Sequence, residues 1–309
     1  MRKTKKSELG QNSINDKLFY ALFALIPSVQ FIIFYIVVNF NSVLLAFKDF
    51  SATGLEYTWT FDNFSGWFTN ESQKADLWTS IGVSLKSYAI MLIVSIPLGL
   101  FFSYYMFKKM PASGVFRVLL FLPSILSAAV LAVIYKNMSE WALGGTDGII
   151  SKLMGETFRF WDKDHRYTSM ILFCIFFSFG TNVLMYTNKM NSISPEIIES
   201  AHLDGANGIK EFWYIVLPQT YSIVQVFLIN GFASVCINQY NSHMLFGYSG
   251  MAADVKPIGY LLWSGVQRAK GEVAQMTEYA ALGLMLTLIV VPLTFLLRWS
   301  LNKFGWSEE

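Results

Sequence analysis

The sequence has 309 residues, of which 54% are hydrophobic and only 14% charged, against about 25% charged in an average soluble domain, which excludes water as the only solvent. A net charge of +2 gives no basis for a nucleic-acid partner. A membrane span needs about 20 mostly apolar residues to cross roughly 30 Å of hydrocarbon, and six stretches qualify: 19–46, 81–106, 116–135, 168–188, 221–240 and 279–299.

These stretches predict an all-α membrane protein with six transmembrane helices, built as a single transmembrane domain over 18–309 behind a basic tail over 1–17. The start, Met1-Arg2-Lys3-Thr4-Lys5-Lys6, resembles a secretory signal only superficially. The apolar run from Leu18 to Phe40 is too long for a signal core and lacks a small-residue cleavage site, so it is read as a retained first span containing Pro27. The polar-aromatic stretch Lys48 to Thr79, with Trp59, Asn63, Trp67 and Trp78, predicts an interfacial loop, since aromatic residues collect at membrane–water boundaries. Span two carries Ser95, Gly99 and Ser103 at four-residue spacing, a face that lets a neighbouring helix approach closely.

Span three begins at Arg117 and contains Pro123, followed by Ser124, Ser127, Ala128 and Ala129. Proline removes one backbone hydrogen bond and kinks the helix, and the small residues leave room for a neighbour; a hinge or pathway-lining kink is the alternative use. The charged segment Asn137 to Tyr167 holds Gly144-Gly145-Thr146-Asp147-Gly148, whose spacing does not fit a phosphate-binding loop, so a turn is expected. Cys174 and Cys236 fall within predicted spans and read as small hydrophobes. His165, His202 and His243 have no partners at metal-ligand spacing, and no metal or cofactor is expected on this chain.

With the N-terminus inside, twelve of the 23 lysines and arginines lie on the cytoplasmic side, an even split. Orientation then rests on the cluster before span one and on Lys108-Lys109, which put both termini in the cytoplasm.

The loop 189–220 between spans four and five is the most informative. Ser194 is suited to an N-cap, Pro195 to the first helical position, and Glu196 to the positive end of the helix dipole. Ile197, Ile198 and Ala201 make an apolar stripe too short to cross a membrane, and Gly205 can take the left-handed conformation that ends the helix. Ile209 to Tyr214 predicts a second short helix before Leu217-Pro218 opens span five. Such an elbow is apolar on one face because it docks, either on its own bundle or on a partner.

Thr181 and Asn182 in span four, and Gln225, Asn230, Asn238 and Gln239 in span five, are polar at membrane depth or near its edge. Hydrogen bonds between helices are the commoner use of such groups, and lining a wet pathway is the other. Between spans five and six, Asn241 to Thr277 is too long for a bare connection. Ile258, Leu261, Leu262 and Val266 there predict an amphipathic surface or partly re-entrant helix.

The elbow resembles the cytoplasmic signature of binding-protein-dependent ABC importer permeases: Glu-Ala-Ala, three residues, Gly, nine residues, Ile, one residue, Leu-Pro. It reads here Glu199-Ser200-Ala201, Gly205, Ile215 and Leu217-Pro218, all in register, with Ser200 in place of alanine. Thr60-Phe61-Asp62-Asn63-Phe64, Phe116-Arg117 with Leu122-Pro123, and Asp204-Gly205-Ala206 are similar to the maltose-type carbohydrate permeases. Phe246-Gly247-Tyr248-Ser249-Gly250 stands where those proteins often carry a Thr-Gly-Gly-Gly-Pro-like run, a departure that leaves the particular sugar open.

The resemblance implies a permease without its own ATPase activity, forming half of a sugar or oligosaccharide pathway in a cell membrane. Its partners would be an ABC ATPase dimer that holds ATP and Mg, a second and different permease, an extracytoplasmic solute-binding protein and the lipid bilayer. Glu199 would pair with a basic group on the ATPase, Ala201 would pack in the ATPase groove and Gly205 would allow the turn, beside Ser200, Asp204, Ala206, Leu217 and Pro218. A non-sugar cargo such as an amino acid, peptide or phosphate-type solute is the alternative. A membrane-embedded enzyme would need a catalytic constellation that the sequence lacks, and a simple channel leaves the signature unexplained.

Overall fold

The computed structural model describes residues 14–51, 56–247, 255–269 and 273–305; most of the basic tail, and the Tyr248-Ser249-Gly250 part of the departing run, lie outside them. In chain order the elements are α1 (Ile14–Gln30), a π-helical stretch (Phe31–Val37), α2 (Val38–Leu45), strands β1 (Lys48–Phe50) and β2 (Tyr57–Trp59), α3 (Asp62–Thr69) and α4 (Glu71–Phe107). Then come α5 (Ser113–Ile125), α6 (Ala128–Asn137), α7 (Ile149–Met154), α8 (Arg166–Asn191), α9 (Pro195–Leu203) and α10 (Ile209–Glu211). The last are α11 (Leu217–Ala233), α12 (Ser242–Phe246), α13 (Ile258–Arg268) and α14 (Val273–Phe304). Among the described residues five helical stretches are long and apolar enough to cross a membrane, and the bent pair Ser113–Ile125 with Ala128–Leu143 makes a sixth if counted as one.

The core is organised around α4, whose small residues form a seam. Lipid is as apolar as leucine, so helices in a bilayer associate through close packing and interhelical hydrogen bonds. Ser103 Oγ lies between the carbonyls of Gly99 (2.6 Å) and, across in α8, Val183 (2.9 Å). Ser84 Oγ accepts the Ile258 N–H of α13 (2.9 Å), and the Tyr88 hydroxyl donates to Leu228 O of α11 (3.0 Å). Against this seam Leu100, Tyr186, Met190, Val216, Leu217 and Val224 form one buried cluster, and Trp67, Leu77, Ile258, Leu261, Leu282 and Leu286 another.

Several expectations are corrected. Lys48 to Thr79 is not a bare interfacial loop: it holds the antiparallel β1–β2 hairpin, α3 and the first turns of α4. Span three is broken just after Pro123 rather than merely kinked. The chain breaks at Leu126-Ser127 with a bend of 107°, because both residues are extended and Ser127 caps the next helix through the Val130 N–H. Of the two expectations for α13, the surface helix is excluded: Ile258, Gly259, Tyr260, Leu261, Ser264 and Gly265 are buried where it packs on α4 and α14, and of the predicted stripe only Val266 is exposed. Cys174 is buried in α8, but Cys236 lies beyond the end of α11.

At the end of the bundle that carries the hairpin, polar side chains tie distant segments together. Asn63 Nδ2 donates to the carbonyls of Ala46 (3.1 Å) and Lys48 (2.9 Å), while its Oδ1 sits 3.3 Å from Thr277 Oγ1. Trp67 Nε1 donates to Glu278 O (2.9 Å), and Lys256 pairs with Asp76 (3.0 Å). Asn63 thus joins the end of α2 to the start of α14, with both amide groups used. Asn63→Leu strands two carbonyls and should lower stability by about 2 kcal/mol, read as a lower Tm in detergent. Asn63→Asp, which keeps the shape and removes the donor, should lose at least as much.

Candidate functional site

The elbow lies at the opposite end of the bundle from the hairpin. Helix α9 begins as its sequence dictates: Ser194 is extended, Pro195 occupies the first position and Glu196 lies in the first turn. Ser194 makes no side-chain cap bond, so proline and charge set this end. The other end is closed by a paired turn. Gly205 has φ +78°, its N–H donates to His202 O (3.1 Å), and the Ala206 N–H donates to Ala201 O (2.9 Å). Both bonds satisfy carbonyls that a helix end would leave unpaired, and a left-handed residue is needed to make them.

The predicted apolar stripe is divided between two faces. Ala201 is 8% exposed, and Ile198 packs on the cluster around Tyr186, Met190 and Val216. Ala201 is thus covered within the chain itself, while Ile198 holds α9 against the bundle. The outward face presents Glu196, Ile197, Glu199, Ser200 and Asp204, with Leu203 90% exposed. Leu203 is therefore not a core residue of this chain.

After Gly208, itself at φ +51°, the chain does not form a separate short helix. Helix α10 passes through a π-helical stretch, Phe212–Val216, straight into α11, giving one unbroken rod from Ile209 to Ala233. Pro218 has no N–H for the carbonyl four residues back and its ring crowds that carbonyl; the wider π turn just before it absorbs the misfit. Leu217 is buried and Pro218 half-buried inside this rod, so the pair does not open it.

A cluster of charge that the sequence reading missed lies inside the elbow. The Glu211 carboxylate is 0% exposed. Lys108 Nζ, at the end of α4, approaches both of its oxygens (3.0 and 2.9 Å), and His202 Nε2, in the last turn of α9, lies 2.7 Å from Oε2. The Tyr104 hydroxyl donates to Gly208 O (3.0 Å), and its ring packs on Phe212 with centroids 5.1 Å apart. Lys108 is noticeable in the sequence only as a topology signal and His202 only as a lone histidine. No local pattern points from either to Glu211.

The candidate pathway residues are not gathered into one site. Thr181 is exposed and Asn182 half-buried on α8. Gln225 Nε2 donates to Asn302 Oδ1, joining α11 to α14, and Asn230 is exposed further along α11. Asn238 and Gln239 are outside the helix, which ends at Ala233. Asn238 Oδ1 accepts the Tyr240 N–H (2.8 Å), a turn-forming bond, and Gln239 Oε1 is enclosed with no partner among the described residues. At the helix end Ser234 Oγ bonds back to the Asn230 (2.9 Å) and Gly231 (3.1 Å) carbonyls.

Residues 80–304 match the family described as the binding-protein-dependent transport system inner membrane component. The multiple sugar-binding transport system permease protein MsmF of Streptococcus mutans is 23% identical over 211 residues, 67% of this chain and 71% of that one. The arabinooligosaccharides transport system permease protein AraP of Bacillus subtilis is 26% identical over 227 residues, 69% of this chain and 68% of that one. The fold is that of a chain in the crystal structure of a bacterial ABC transporter involved in the import of the acidic polysaccharide alginate, with a TM-score of 0.76 at 17% identity, covering 94% of this chain and 97% of that chain.

The elbow geometry makes its own prediction. Gly205→Ala forces a side chain into the left-handed region at a cost of about 1 kcal/mol, and Gly205→Val costs more. Trypsin cleavage at the exposed Lys210 should quicken in that order while the overall Tm moves little.

Proposed function

We propose that this chain, which belongs to the binding-protein-dependent transport system inner membrane components, is the permease subunit that forms half of a sugar or oligosaccharide pathway, driven by a separate ATPase dimer. The observation that carries the reading is α9: a short helix anchored inward by Ile198 and Ala201, presenting Glu199, Ser200 and Leu203 outward. The names of the relatives, a multiple sugar-binding system and an arabinooligosaccharide system, support carbohydrate as the cargo.

In this reading ATP and Mg are held by the ATPase, and α9 sits in a groove on its surface. Glu199, whose carboxylate has no hydrogen bond among the described residues, meets a basic group there, and Leu203 supplies the apolar contact. A carboxylate in a partly desolvated groove sets register, whereas in water the same pair contributes little. Closure of the ATPase dimer displaces α9, and the spans change the side to which the cavity opens. Such coupling requires different contacts in the two states, since equal docking in both transmits nothing. Asp204, Gly205 and Ala206 shape the turn that presents the helix, and Leu217 and Pro218 seat the rod that receives its motion. Thr181, Asn182 and Asn230 are the pathway candidates, because Gln225 is engaged with Asn302 and Asn238 and Gln239 lie outside the helix.

The elbow then faces the cytoplasm, as the Lys108-Lys109 pair at that end and the basic N-terminal cluster support, and both termini lie on that side. A second, different permease completes the pathway, and an extracytoplasmic solute-binding protein delivers the cargo at the hairpin end. A structure of the alginate transporter in complex with an alginate pentasaccharide-bound periplasmic protein, similar in fold at TM-score 0.74, supports a solute-binding protein as a partner.

Affinity-tagged chain expressed with its genomic neighbours should carry down an ATPase pair and a second permease, and the chain alone should hydrolyse no ATP. Glu199→Ala should weaken ATPase retention by about 2 kcal/mol, roughly 30-fold, with membrane insertion unchanged. Normal retention and normal transport by that variant would remove the coupling role from α9.

A further inference from the structure

We propose that Lys108, Glu211 and His202 form a brace that makes the elbow and the end of α4 one mechanical body, so that displacement of α9 reaches α4 and α11 together. The proposal rests on the reading of α9 as the coupling helix and concerns what happens to the force after it arrives.

The elbow has a weak point. Between α9 and α10 the chain passes through two glycines with positive φ, Gly205 and Gly208, and a Cβ at either would meet nothing within 4 Å. No side chain is therefore packed beside either glycine on its Cβ side. A lever with a turn in its middle delivers little to the rod beyond it unless side chains tie its two arms together. The Ala206 N–H bond to Ala201 O closes across Gly205, and the Lys210 N–H bond to Asn207 O closes across Gly208. Among the described residues no backbone hydrogen bond runs directly from α9 to α10.

The charge cluster does span the joint between them. His202 belongs to α9, before the joint, and Glu211 belongs to α10, after it; their side chains meet at 2.7 Å. Lys108 brings in a third element, the end of α4, through both carboxylate oxygens. The Tyr104 hydroxyl ties the same end of α4 to the carbonyl of Gly208, at the joint itself. Thus α9 is connected across the glycines to the α10–α11 rod, and both are connected to α4.

Burial makes this connection selective. A carboxylate with no solvent exposure depends on its donors: losing Lys108 removes its cation, and losing His202 removes the hydrogen-bond partner at Oε2. The donors therefore hold their positions jointly. A buried ionic cluster is also a poor way to add stability, because well-packed apolar residues commonly serve as well. What ions and hydrogen bonds add here is a fixed relative orientation of three elements, which is the property a lever needs. Lys108, Glu211 and His202 are accordingly positioning residues: none need touch the cargo or the nucleotide.

The test places spin labels at Glu196→Cys in α9 and Met110→Cys just beyond α4, both exposed positions, with Cys174 and Cys236 replaced by alanine. Distances are measured by double electron–electron resonance on the full chain alone and on the chain assembled with its ATPase and second permease, without nucleotide and with ATP plus vanadate. The wild-type pair should give one narrow distribution that nucleotide does not move. Glu211→Gln and His202→Ala should widen it at least about twofold, as a locally opened segment does, and His202→Gln, which keeps a donor at that place, should restore the narrow form. A shift of more than about 5 Å, one helical turn, in the wild-type complex, or variants as narrow as wild type, would overturn the brace. Failure of the wild-type chain to retain any ATPase would instead overturn the coupling reading, while the width comparison on the chain alone still decides the brace.

Discussion

Helix α4 is the member against which the rest of the molecule is placed. In a bilayer there is no gain from hiding apolar surface between helices, so association depends on surfaces that fit closely and on hydrogen bonds made out of water's reach. The serines and glycine of α4 meet both needs: Ser103 reaches a carbonyl of α8, Ser84 holds the N-terminal N–H of α13, and Ser87 meets the Tyr167 hydroxyl at 3.0 Å. Larger side chains at these positions would hold the neighbours apart, and the polar bonds could not form.

The same helix, 37 residues long, joins the two ends of the bundle. Its first turns meet the Asn63, Trp67 and Glu278 ties, where Gln73 donates to the Glu278 carboxylate (2.8 Å). Its last turn meets the elbow through Tyr104 and Lys108. A body tied at both ends to one long helix is suited to rocking as a unit, and the proposed docking face on α9 is placed where such a motion would start. Span one is differently built: from Phe19 to Val43 all its residues are exposed, so lipid or another chain must supply its surroundings.

Much of the architecture was legible in the residues. Hydropathy located the spans, because the requirement for about 20 apolar residues is imposed by the bilayer and not by neighbouring helices. The start of α9 at Pro195 and its end before Gly205 followed from rules that act within one turn. The errors fall where a distant contact overrides the local pattern. Val and Ile residues around Cys236 look like a continuing span, yet the helix stops at Ala233; Ile258 and Leu261 look like a surface stripe, yet Ser84 and Leu282 bury them. Ala201 looks like part of one short apolar stripe with Ile197, yet folding leaves Ala201 8% and Ile197 43% exposed.

Sequence alone determined that this is a many-span membrane protein with a short, glycine-ended helix between its fourth and fifth apolar stretches, and it carried the signature that places the chain in its family. Those features are local: hydropathy, helix-end chemistry and residue spacing can be read without knowing what lies alongside. Only the tertiary structure decided which face of α9 is free, that span five begins inside the elbow, and that Glu211 is a buried charge held by Lys108 and His202. The first pair is separated by 103 residues and the second by 9, across a turn, and whether a carboxylate is hidden from water depends on every element folded around it.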